Sequence, residues 1–109
     1  MKKFLLVAVL IGLTAVFAFA ENFNIKNGTG YTIYEVYVSN SNSSNWGDDI
    51  LDSDEVLRAD RTVRIELPNS WRGGNIDILA IDQDGDTYTL HDRRVKNGDT
   101  ITVTLADLD

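Results

Sequence analysis

Apolar and polar residues alternate with period two along much of the chain, the signature of half-buried β-strands. Phe23 and Ile25 alternate with Asn22, Asn24 and Lys26. Val63, Ile65 and Leu67 oppose Thr62, Arg64 and Glu66, and Ile101, Val103 and Leu105 oppose Thr100, Thr102 and Thr104. Residues 75–82 and 86–91 read as two further strands around Gln83-Asp84-Gly85. An Asp-Gly pair between such runs marks a hairpin, because glycine accepts positive φ. Residues 31–39 are dense in aromatic and β-branched side chains. There Tyr34, Val36 and Val38 share one face, while Tyr31, Ile33 and Tyr37 share the other with Glu35. Both faces are partly apolar, which places this strand in the middle of a sheet.

Turn residues separate these runs. Asn27-Gly28-Thr29-Gly30 ends the first strand, Pro68 stops the strand that contains Ile65, and Asn97-Gly98-Asp99 precedes the last. Residues 40–45 are a Ser/Asn tract without an apolar side chain, hence a loop. In the segment that follows, the pairs Ile50-Leu51 and Val56-Leu57 lie six apart and fit neither period. This predicts an ordered loop with one short helical turn, pinned by Trp46 and the two pairs. No other helix is expected after residue 20. The fold class is therefore all-β, a small antiparallel β-sandwich of six to seven strands, Ig-like or Greek-key.

The N-terminus changes that picture. Lys2 and Lys3 precede an apolar run over residues 4–20, which ends in Ala18-Phe19-Ala20 before polar Glu21-Asn22. That order predicts a cleavable signal peptide over 1–20 and a single domain over 21–109. The run of 17 residues is marginal for a membrane anchor, which needs about 20. Export to the periplasm or beyond is expected, with no membrane insertion after cleavage.

Charge and composition narrow the chemistry. The chain has 10 basic and 17 acidic residues, a net charge of −7. Loss of the leader takes away two lysines and leaves −9. Such a surface repels phosphate backbones, so nucleic acid is not an expected partner. There is no cysteine. Disulfides, thiolate metal sites and thiol catalysis are thereby excluded, and stability must come from packing and backbone hydrogen bonds.

The strand Tyr34-Glu35-Val36-Tyr37-Val38-Ser39, the Ser/Asn loop, the Trp46-Gly47-Asp48-Asp49-Ile50-Leu51 segment and the hairpin ending at Asp84-Gly85 form a recognisable order. It resembles a loose group of small exported bacterial β-proteins of unknown function, with a Tyr-rich strand and a Trp-Gly-x-Asp-x-Leu loop. The resemblance spans most of residues 21–109. It implies a β-sandwich-like fold and carries over no activity and no functional residues.

Candidate chemistry lies in four places. Asp48, Asp49, Asp52, Asp54, Glu55 and Asp60 crowd one segment, and calcium takes several carboxylate and carbonyl oxygens from such loops. Asp82-Gln83-Asp84-Gly85-Asp86 lacks the calcium-loop spacing, because its glycine stands at position four and Arg93 at position twelve; a plain hairpin turn accounts for it. His91, the only histidine, is followed by Asp92, but neither a nucleophile elbow nor a thiol accompanies it, so no enzyme is expected. Trp46 and Trp71 sit in glycine-containing loops, where binding aromatics are common. Asn27-Gly28-Thr29 and Asn42-Ser43-Ser44 are N-glycosylation sequons. The resulting expectation is a non-enzymatic extracytoplasmic binding or envelope-associated module that contacts a protein or glycan through residues 39–54 with Trp46, and through Trp71. The alternative is a calcium-binding domain that uses Asp48, Asp49, Asp52 and Asp54; no other cofactor is expected.

Overall fold

A computed structural model describes residues 22–43, 45–67 and 74–109. The leader predicted over 1–20, Pro68 and Trp71 lie outside the described residues. Six strands follow in chain order: β1 (Asn22–Gly28), β2 (Ile33–Asn40), β3 (Thr62–Glu66), β4 (Asn75–Asp82), β5 (Thr87–Arg94) and β6 (Thr100–Thr104). They form two three-stranded sheets, ordered β3-β1-β6 and β2-β4-β5. The all-β sandwich expected from the alternation is the fold observed.

The alternating side chains supply the core. Phe23, Ile25, Ile65 and Val103 from the first sheet join Ile33, Val36, Ile76, Ile78, Ala80, Tyr88 and Leu90 from the second in one buried cluster. Each fully buried Ile or Leu contributes about 2 kcal/mol of transfer free energy, and without disulfides this burial is the main stabilising term. Leu51, Leu57, Leu67 and Val95 close the cluster from the connecting segments.

Three details depart from the alternation. First, β1 and β6 run parallel, with Ile25 opposite Ile101 and Asn27 opposite Val103, whereas the other three pairings are antiparallel. Their close approach depends on Gly28, where a Cβ would stand 2.8 Å from Thr102 Cγ2. Second, β2 is an edge strand and β4 is central, so the expected middle position of residues 31–39 is corrected. A bulge between Ile33 and Glu35 explains the misleading pattern. The extra residue, Tyr34, points to solvent, and Ile33 and Val36 both turn into the core although they are an odd number of positions apart. Third, Leu105 does not extend β6 inward. The Thr104 hydroxyl accepts the Ala106 N–H and the Asp107 carboxylate accepts the Thr104 N–H, which starts a 3-10 turn over Leu105–Asp107. Leu105 is 53% exposed as a result.

Candidate binding edge formed by strand β2 and the acidic loop

An edge strand presents unpaired N–H and C=O groups that invite another chain. Here residues 45–57 cover the edge of β2. Ile33 and Leu57 exchange backbone bonds of 2.9 and 2.8 Å, and the Ile50 N–H donates to the Val36 carbonyl at 2.8 Å. The Val36 donor is met by a side chain: Asp49 Oδ1 accepts the Val36 N–H at 2.8 Å and the Leu51 N–H at 3.1 Å. Leu51 and Leu57 bury on the core side of this strap, and Ile50 packs against them. The ordered loop expected from the apolar pairs is therefore present. The predicted helical turn is replaced by a tight turn in which the Glu55 N–H donates to the Asp52 carbonyl at 2.9 Å and Glu55 Oε1 accepts the Asp52 N–H at 3.1 Å.

The strap places its charges outward. Asp48, Asp52, Asp54 and Glu55 are exposed, Asp49 is tied to backbone, and Trp46 is half-buried. Asp48, Asp49, Asp52 and Asp54 do not converge on a common point; among the described residues the group of three carboxylates within ligating distance is Asp82, Asp84 and Asp86. Next to the strap, the Tyr37 hydroxyl donates to Glu35 Oε1. That bond, followed by desolvation and the charges of Glu35, Asp49 and Asp48, pushes the phenol up to about 12. Tyr31 and Tyr34 are 46% and 51% exposed beyond it. The edge thus carries tyrosines among carboxylates.

The β4–β5 hairpin uses its carboxylates otherwise. Asp82 is buried, and its Oδ1 accepts the N–H groups of Asp84 and Asp86 at 2.9 and 3.0 Å. Its Oδ2 accepts the Tyr88 hydroxyl at 2.8 Å. Burial raises the carboxyl pKa, but these hydrogen bonds outweigh it and hold Asp82 below its usual value. Tyr88 is pushed up to about 12, by burial first and then by Asp82. Gly85 takes φ +83° to complete the three-residue turn. This is the hairpin device the sequence pointed to.

Two polar knots escaped the sequence reading. The buried Asn27 donates its Nδ2 to the carbonyls of Tyr31 (2.6 Å) and Leu57 (2.9 Å), and its Oδ1 accepts the N–H and hydroxyl of Thr29. Thr29, on the same side of the core, partly opposes the rise of the Tyr88 pKa. Asn27 and Thr29 are both buried and tie the end of β1 to the end of the strap at Leu57. The signal was present as Asn-x-Thr just after a strand, a sequence that forms Asx and ST turns, although it also reads as a sequon. Asp77 is the second knot. Its Oδ1 accepts the Ser41 hydroxyl at 2.7 Å and the Asp92 N–H at 2.9 Å, and His91 Nδ1 lies 3.4 Å from its Oδ2. Desolvation raises Asp77, but these bonds, Asp92 first, bring it below its usual value. His91 is 68% exposed and faces Asp77 rather than Asp92. The Ser41 hydroxyl donates to this same carboxylate and not to His91.

No family model matches the chain, and no curated protein does. Among solved structures, one determined by NMR of a protein from Eubacterium rectale superposes with a TM-score of 0.58 at 14% identity, over 82% of this chain and 84% of that one. The likeness is one of fold.

Proposed function

We propose that the protein is a non-enzymatic extracytoplasmic binding module whose β2 edge docks a basic protein surface. The observation that supports this reading is the strip itself: Tyr37 set among Glu35, Asp48 and Asp49, with exposed Tyr31 and Tyr34 alongside. Carboxylates steer a lysine- or arginine-bearing partner to the edge, and tyrosine faces then contact its cations and alkyl stems. Because the strap occupies the β2 backbone at Ile33 and Val36, docking there would proceed through side chains and not by strand addition. The leader in the sequence supports a site of action outside the cytoplasm.

The test is a titration with a synthetic lysine-rich peptide at low ionic strength. Tyr34→Ala with Asp48→Asn should weaken binding by about fivefold or more, whereas Asp84→Asn with Asp86→Asn, on the hairpin, should leave it unchanged. Equal losses in both pairs would reduce the effect to net charge and end the proposal. Melting with calcium and with chelator reads out the rival calcium-binding function: a calcium-dependent rise in midpoint lost on Asp52→Asn with Asp54→Asn would favour it.

A further inference from the structure

On the sheet opposite the strip, the start of β1, the middle of β3 and the turn before β6 line an open cleft of about 320 Å³ formed by Asn22, Asn24, Arg64, Asn97 and Gly98. We propose that this cleft binds a small hydroxylated carboxylate of the uronic-acid class. Its lining departs from the rest of the molecule. In a chain with 17 acidic residues, none of the five is acidic, and the one charge is a guanidinium. Among the described residues Arg64 lies within ion-pair distance of no carboxylate; the ion pairs there are His91–Asp77 and Arg93–Asp107. Its planar fork matches a carboxylate in a bidentate pair.

The amides specify the rest of the ligand. The Asn22 N–H donates to Asn97 Oδ1 at 2.9 Å, and the Asn97 Nδ2 has no acceptor among the described residues. The Asn22 carboxamide oxygen is shielded from water and has no hydrogen-bond partner among the described residues. Such an unsatisfied acceptor is costly, so the carboxamide gains by turning to a hydroxyl donor in the cleft. Asn24 adds a further donor and acceptor beside Arg64, its partner across the strands. A ligand with hydroxyls that both donate and accept answers these amides. An ammonium group does not, because no lining carboxylate would balance its charge.

The cleft is also pre-formed. The Gly98 N–H donates to the Asn22 carbonyl at 2.8 Å and the Asn24 N–H to the Asp99 carbonyl at 2.7 Å. Asp99 closes its own turn by accepting the Lys96 N–H at 2.8 Å, with Gly98 at φ +89°. A wall stitched to β1 in this way loses little freedom when a ligand enters, and its volume suits one sugar ring.

Titration of the purified protein with D-glucuronate, followed by the side-chain amide resonances of its asparagines, tests the assignment. Saturable shifts in Asn22, Asn24 and Asn97 are expected below about 20 mM. D-glucose should bind at least about tenfold more weakly, and Arg64→Gln should reduce glucuronate binding to the glucose level. Arg64→Lys, which keeps the charge without the fork, should fall between them. Absence of shifts, equal binding of glucose and glucuronate, or unchanged binding in Arg64→Gln overturns the proposal. L-Serine, whose ammonium the lining does not balance, binding as tightly as glucuronate overturns the assignment. The backbone spectrum of each variant separates loss of ligand from loss of fold.

Discussion

The two acidic segments, the strap over residues 45–57 and the hairpin at residues 82–86, have similar composition and different physics. In the hairpin, one buried carboxylate collects three donors and organises the turn. In the strap, one carboxylate clips the loop to a strand edge through Val36 and Leu51, and its acidic neighbours face water. The supply of nearby N–H and O–H donors decides whether an aspartate builds structure or decorates a surface. Acidity alone does not separate the two.

Removal of the hairpin organiser should have the largest effect. Asp82→Ala leaves the buried Tyr88 hydroxyl and two backbone N–H groups without an acceptor, a loss of about 3 kcal/mol. The urea midpoint should drop with m unchanged. A midpoint within error of the parent would put Asp82 on the same footing as the surface acids.

Acid should erase much of the same contribution. The folded pKa of Asp82 lies below its unfolded value, so its stabilisation is complete above about pH 4 and is lost as pH falls through the folded value. Asp77 and Asp109 act in the same direction, the latter through the Thr89 and Thr87 hydroxyls. Urea midpoints at pH 7 and pH 3 should therefore differ more for the parent than for Asp82→Asn. Identical pH dependence in the two proteins would locate the acid sensitivity elsewhere.

Opening the clip should cost less. Asp49→Ala removes one acceptor from a partly solvated edge, for about 1 kcal/mol. Its clearer readout is amide hydrogen exchange: Val36 should lose protection while the β4–β5 turn keeps it. Loss of protection in both regions would mean that the strap and hairpin unfold as one unit. The smallest effect belongs to Asp52→Asn and Asp54→Asn, each within about 0.5 kcal/mol by thermal melting; a larger loss would show that exposed strap carboxylates do structural work after all.

How much of this was readable from residues follows the same division. Period-two alternation located β1, β3 and β6, because a strand with one wet face must alternate. The hairpin was readable because its chemistry is local: turn, glycine and acceptor lie within five residues. The edge position of β2 was not, because a bulge at Tyr34 shifts the inward register and mimics a strand with two apolar faces. Asp49 was visible as one acid among six, and only tertiary contact with Val36, thirteen positions away, singles it out. The cleft around Arg64 was invisible for the same reason, since its lining comes from three separate stretches of chain. Asp48, Asp49, Asp52 and Asp54 stand out in the sequence by local density, which says nothing about where carboxylates point.

The parallel seam between β1 and β6 sets the order of events when the chain folds. Asn24 lies opposite Thr100, a loop closure of 76 positions. Until the last strand arrives, β1 has only β3 beside it, and its other flank is an open template for a neighbouring molecule. A chain that emerges N-terminus first cannot complete this sheet before nearly all of it has emerged. Truncation before Thr100 should therefore yield a sticky intermediate, and not a smaller version of the domain.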